Sequence, residues 1–393
     1  KQFYADRIDE QSRRIREQLK QIPVRIAEIN KAIPVTMVMQ EMTERRKTHL
    51  LVRGQYDKLG DEVFPGLPAS LVGNTSTPEA TRLDMARWLT DPAHPLTARV
   101  AVNRWWEMLF GTGLVETAED FGVQGARPSH PELLDWLATE LIRQKWDQRG
   151  ILKLIVLSAT YRQSSNVTPQ LLDADPRNRL LSRGPRWRLP AEMIRDNALA
   201  VSGLLHRQVG GPSVRPYQPA GLWEDVSVER RDKYVADSGP GLYRRSMDTF
   251  WKRTCPPPGM SAFDAPDRET CVIRRARTNT PLQALVLLND PTYVEAARAF
   301  AERIIHHNAD DTERLNFAFR SAIARLPADA ERAVVNDLLA VARKRFTAHP
   351  DAANKLLAVG SSKVDTTIEV GELAAWTSVA SILLNLDETI SKP

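Results

Sequence analysis

The stretch from Tyr243 to Pro291, YRRSMDTFWKRTCPPPGMSAFDAPDRETCVIRRARTNTPLQALVLLNDP, constrains this chain more than any other. Pro256, Pro257 and Pro258 have no amide hydrogen to donate and Gly259 follows them, so neither helix nor sheet runs through its middle. Arginines, carboxylates and both cysteines crowd the same stretch. A long irregular segment costs conformational entropy to order, and such segments are usually either disordered or functional. Phe250, Trp251, Met260, Phe263 and Val272 give this one apolar anchors, which predicts that it docks on a core and serves a site.

Around it, apolar residues recur at helical spacing. In residues 1–33, Ile8, Ile15, Leu19, Ile22, Ile26, Ile29 and Ile33 form a narrow stripe between charged residues. That pattern predicts one long helix, kinked or split at Pro23, packed in a hairpin with a helix of a parent protein or a partner. In residues 34–78, Val35–Met42 and His49–Tyr56 alternate well enough for short strands, and GNTSTP (73–78) reads as a linker. In 79–393 helices are predicted at 82–91, 95–111, 130–145, 147–159, 190–205, 292–307, 311–325, 328–348 and 369–390, interrupted by an irregular loop at 240–279. Gly111 ends the second of these, and Ser129 with Glu132 offers a capping box to the third. Thr280, Pro281 and Gln283 have the order of a helix start, with Thr280 as the cap. Leu282, Leu285, Val286 and Leu288 then cover so much of that helix that it is expected to be central. The expected fold is mainly α: a multi-helix domain with a long N-terminal helix and a small β element.

Composition narrows the function. The 42% apolar and 26% charged residues are those of an ordinary globular chain. A net charge of +5 over 393 residues, with bases spread among acids, does not predict nucleic-acid binding. No apolar run reaches the roughly 20 residues that span a bilayer. Lys1 falls inside a helical pattern, so a fragment or processed product is expected. Cys255 and Cys271 are the only cysteines and no C-x-x-C-H occurs, so neither a structural zinc site nor a c-type haem is expected in this chain. The two either form a disulfide, worth about 3 kcal/mol for a loop of this length, or remain free thiols.

The acidic cluster Asp264, Asp267 and Glu269 is the best candidate for chemistry. Neighbouring carboxylates divide into an acid and a base, or bind a hard cation. Arg268, Arg274, Arg275 and Arg277, with Asn279 beside them, would pair with these acids or with an anionic ligand. The alternative is a salt-bridge network that only stiffens the loop. Trp251, with Phe263 and Tyr243, offers either a platform for a sugar ring or apolar anchors for the loop. Arg104 is a candidate anion ligand or the partner of Glu116 or Asp120 in a buried ion pair. His130 is a candidate general base, or simply part of the start of its helix. No G-x-S-x-G, Walker A or G-x-G-x-x-G pattern is present.

Several long stretches carry a resemblance: HPLTARVAVNRWWEMLFGTGLV (94–115), DFGVQGARPSHPELLDWLATELI (120–142), LIVLSATYRQSS (154–165), RTNTPLQALVLLND (277–290) and AAWTSVASILLNLDETI (374–390). From about Thr48 onward the chain resembles a planctomycete-specific domain family of unknown function. The resemblance implies the C-terminal part of an exported protein, periplasmic or at the cell surface, whose missing part carries a c-type cytochrome domain and its haem. It implies no catalytic residue. Two functions are expected from this setting. One is a module that binds or processes an extracellular substrate such as a polysaccharide. The other is a structural module that docks the N-terminal part of its parent or another subunit.

Overall fold

A computed structural model describes residues 9–33, 35–72 and 79–392. The chain is 53% helical, with 17 α-helices among the described residues and only two small sheets. It divides into two compact units, Lys1–Asp91 and Pro92–Pro393.

In the first unit α1 (Glu10–Ala32) starts at the cap Asp9, whose carboxylate accepts the Ser12 amide, and Pro23 does not divide it. None of its residues is buried, and the stripe from Ile15 to Ile33 is about half exposed. Ile8 and the stretch 73–78 lie outside the described residues. β1 (Thr48–Leu51) pairs antiparallel with β2 (Leu59–Val63). The expected strand at 35–42 is absent, and the one at 49–56 ends at Leu51 because Arg53 and Gly54 turn the backbone to positive φ. Its partner, 59–63, is not among the expected strands. Among the described residues the unit also holds α2 (Ala69–Val72) and α3 (Arg82–Leu89), the latter opened by a Thr81–Asp84 capping box.

The second unit has two apolar cores. The first joins α4 (Thr97–Phe110), α5 (Pro131–Arg143) and α6 (Gln148–Leu157) through Val102, Trp106, Phe110, Leu137, Leu141 and Ile151. α4 stops where predicted, at Gly111 with φ +79. α5 begins one residue later than the expected cap: His130 occupies the cap position and no side chain closes it, while the Ser129 amide donates to Leu114 O. Arg104 is exposed and forms no salt bridge among the described residues, so the expected buried pair with Glu116 or Asp120 is absent. The buried polar residue of α4 is Asn103, which exchanges two hydrogen bonds with the Val115 backbone.

Past the short α7 (Pro169–Ala174) and β3 (Trp187–Arg188), the second core gathers α8 (Ala191–Ser202), α10 (Pro258–Ser261), α11 (Pro281–Asn289), α12 (Pro291–His307), α13 (Asp311–Ile323), α14 (Asp329–Ala348), α15 (Pro350–Leu357), α16 (Val370–Leu384) and α17 (Asp387–Ile390), while α9 (Leu222–Asp225) and β4 (Ser391–Lys392) add no side chain to it. α12 and α16 are its centre. Ala296, Ala297, Ala301, Ala374, Ala375 and Ala380 are fully buried, and small side chains let two helices approach closely. α11 is not central: it buries only Gln283 and Leu287, and leaves Leu282, Leu285 and Leu288 exposed. Its leucines point all around the helix and form no single face that a core could cover.

Candidate functional site

The irregular run PRNRLLSRGPRWR (176–188) is shaped by its own side chains. The Asp175 carboxylate accepts the amides of Arg179 and Leu180, and Asn178 exchanges bonds with the Arg183 backbone. The buried Arg183 guanidinium then donates to Asp175 O (2.9 Å) and Pro176 O (3.1 Å). Arg179 reaches across to the turn after α4, donating to Gly113 O (3.1 Å). These bonds set a row of arginines against the C-terminal end of α4.

Between them lies a cleft of about 370 Å³. Trp106 and Phe110 form one wall, stacked at 4.0 Å between ring centres. Tyr161 meets Phe110 edge-on, and the Lys392 ammonium lies 4.1 Å from the Tyr161 ring centre, where burial lowers its pKa. Trp187 forms the other wall, held in register by β3–β4 pairing with Lys392. Gly111 makes this approach possible, since a Cβ there would sit 2.8 Å from the Trp187 ring. Arg177, Arg179, Arg183, Arg186 and Arg277 complete the lining. No carboxylate lines it among the described residues. Arg186 pairs with Asp387, but the other four form no salt bridge among the described residues. Burial lowers the pKa of Arg277, whose guanidinium lies 4.7 Å from the Trp187 ring centre and donates to Gly111 O at 2.9 Å.

Beside the cleft, one turn before Gly111, is Glu107. Burial raises its pKa; Arg277, Arg274 and Arg104 pull it down and Glu119 pushes it up. Its carboxylate forms neither a salt bridge nor a side-chain hydrogen bond among the described residues. The arrangement sets guanidinium groups between flat apolar walls. Guanidinium groups donate in forks that match carboxylate or sulfate oxygens, and aromatic faces accept the apolar face of a ring.

Residues 81–339 match the model of PSD1, described as a protein of unknown function (DUF1553). The chain belongs to the PSD1 family. No curated protein and no solved structure shows significant similarity to it. The PSD1 match includes every residue that lines the cleft and stops short of α15, α16 and β4.

Within this PSD1 chain the sequence-predicted residues serve separate purposes. Asp264, at φ +60, accepts from Arg188 and from the Thr278 amide (2.8 Å) and hydroxyl (2.9 Å). Burial opposes its ionisation, but these bonds outweigh burial and hold its pKa low. They close the segment 264–278 into a loop. Asp267 and Glu269 are exposed; the Asp267 carboxylate accepts the Glu269 amide, and its carbonyl accepts Trp251 Nε1 at 2.9 Å. Arg268 stacks on Trp251 at 4.3 Å. Arg275 pairs with Glu192 at 2.8 Å, and Arg274 is exposed near Glu107. Asn279 is exposed without a side-chain hydrogen bond among the described residues. Phe263 is core, and the Tyr243 hydroxyl donates to buried Glu295 at 2.8 Å, so neither joins Trp251 in a platform. His130 Nδ1 lies 3.0 Å from Ser129 Oγ, and Ser129 lines the cleft. Both cysteines are free thiols, Cys271 exposed. Of the predicted set, Arg277 lines the cleft, and Arg274 and Arg104 border it through Glu107. The arginine run at 176–188, Trp187 and Glu107 are not among the predicted residues. Five arginines in the run 176–188, interspersed with Pro176, Gly184, Pro185 and Trp187, were the available signal.

Proposed function

We propose that this chain is the substrate-binding module of an exported planctomycete protein whose other part carries a c-type cytochrome domain, and that its ligand is an acidic extracellular polysaccharide. Uronate or sulfate groups would be held by Arg177, Arg179 and Arg277 while a sugar ring lies against Trp187. The observation that supports this most is a cleft with aromatic walls in which four of five lining arginines form no salt bridge, and which no carboxylate lines, among the described residues. Binding is the act this geometry favours. Haem chemistry, in this reading, belongs to the other part of the parent protein.

Isothermal titration with an oligogalacturonate, a sulfated oligosaccharide, a neutral oligosaccharide and a single-stranded oligonucleotide tests it. Binding of either acidic sugar with no response to the neutral one supports the proposal. Equal binding of the neutral sugar, or preference for the oligonucleotide, contradicts it. A second reading, a scaffold that docks the N-terminal part of its parent, is favoured by the half-exposed stripe of α1 and the exposed leucines of α11. No helix among the described residues is long and apolar enough to cross a membrane.

A further inference from the structure

We infer that Ser129 and His130 form a nucleophile and its base at the cleft, and that the chain hydrolyses acyl esters carried on the hydroxyls of an acidic sugar. The substrate class rests on the cleft being the anion site. Several observations meet at this place. His130 Nδ1 lies 3.0 Å from Ser129 Oγ, within the reach that a general base needs. Ser129 lines the cleft together with Arg179 and Trp187. Both backbones are fixed: the Ser129 amide donates to Leu114 O at 2.8 Å, and the His130 carbonyl accepts the Leu134 amide in the first turn of α5. Pro131 further confines His130 to a non-helical conformation, with φ −136 and ψ 82. Leu114 O also takes Arg179 Nη2 at 3.4 Å, so a guanidinium stands beside the serine. Asp135 pairs with Arg99 at 2.7 Å and the Asp120 carboxylate accepts the Gly122 amide, so both acids are engaged elsewhere and the pair is held by its backbone.

In the tautomer with its proton on Nε2, His130 presents the Nδ1 lone pair to the Ser129 hydroxyl. The hydroxyl proton passes to Nδ1 as Oγ bonds to the acyl carbon. Arg179 is the cation beside the serine that meets the charge developing on the carbonyl oxygen, and its bonds to Gly113 O and Leu114 O hold it in place beforehand. The bond from the acyl carbon to the sugar oxygen then breaks, and that oxygen leaves with the proton held by His130. Water attacks the acyl-serine in the same way. Its proton goes to His130 and its oxygen to the acyl carbon, and Ser129 recovers a proton as the carboxylic acid departs. An acyl group on a sugar hydroxyl leaves the uronate or sulfate charge free for Arg177 and Arg277, whereas a methyl ester of the uronate would cancel it.

The test begins with diisopropyl fluorophosphate, which reacts with activated serines, on the wild type, and the labelled peptide is found by mass spectrometry. Turnover of p-nitrophenyl acetate and acetate release from an O-acetylated oligogalacturonate are then measured for the wild type, Ser129→Ala and His130→Gln. The label is expected on Ser129, and each variant is expected to lose at least about a hundredfold in acetate release. Because the label is read on the wild type, it does not depend on how the variants fold. No label at Ser129 and no acetate release, from a protein that binds oligogalacturonate, overturns the inference and leaves the binding reading intact. Acetate release by Ser129→Ala at the wild-type rate also overturns it. A labelled Ser129 and turnover of p-nitrophenyl acetate, in a protein that binds no acidic sugar, overturns the binding reading and the substrate class together.

Discussion

Buried arginines that grip backbone carbonyls hold the irregular parts of this molecule. Arg195 donates to Leu242 O (2.7 Å) and Arg244 O (2.9 Å), Arg244 to Gly210 O and Pro212 O, and Arg298 to Ser362 O and Lys363 O. A coil has no ladder to satisfy its carbonyls, and one guanidinium supplies several donors at once. Glu295 does the converse for amides, accepting from Ser361 and Ser362 as well as from Tyr243. Gly360 precedes them at φ +94, and a Cβ there would fall 2.3 Å from the Glu295 carboxyl carbon. Gly360→Ala therefore meets both backbone strain and a buried clash, and should destabilise by at least about 2 kcal/mol in denaturant unfolding. Glu107 carries the opposite sign from a paired carboxylate. Its folded pKa lies above the unfolded value, so the folded state binds more protons in between. Stability from this group is fully present below the unfolded pKa and is lost as pH rises through the folded one. Glu107→Gln should raise Tm above wild type at pH 8, and the gain should vanish at pH 4.

At the scale of elements, the helix ends separate what a side chain does from what it suggests. Thr280 has the residue type and position of a cap, yet its hydroxyl makes no capping bond; the Gln283 amide takes Thr280 O instead. The Gln283 side chain, almost fully buried, donates to Ala262 O and Thr278 O and so ties the loop to the helix. Thr280→Ala should then change stability by less than about 0.5 kcal/mol, as surface substitutions do. Asp310, whose carboxylate accepts the Glu313 amide at 3.0 Å, should cost about 1 kcal/mol as Asp310→Ala. Thermal unfolding of the two variants side by side checks the contrast. Helix positions were readable because apolar spacing and Gly111 act over a few residues. The rank of α11 was not readable, because apolar content alone does not say whether the residues share a face. Nor did alternation at 35–42 make a strand without a neighbour to pair with.

For the molecule as a whole, the cleft is long-range by construction. Arg277 meets Gly111 across 166 positions, Arg179 meets Gly113 across 66, and Lys392 closes β3 from the other end of the chain. The charge-dense loop 264–277 brings one of its arginines, Arg277, to the cleft and leaves its acids outside the lining. Asp264 spends its charge on Arg188 and Thr278, while Glu107, without a salt bridge or side-chain hydrogen bond among the described residues, sits on α4, outside the charged loop. The most direct measurement is the affinity of an acidic oligosaccharide for the wild type and for Arg177→Ala/Arg277→Ala, at low and high salt. A lost charge-assisted contact costs about 1.5–3 kcal/mol. The double variant should therefore bind at least about a hundredfold more weakly, at tenfold per 1.4 kcal/mol. Its remaining binding should also depend less on salt, because exposed charges are what salt screens. Equal affinity and equal salt dependence in the two proteins would place the anion elsewhere and contradict the account.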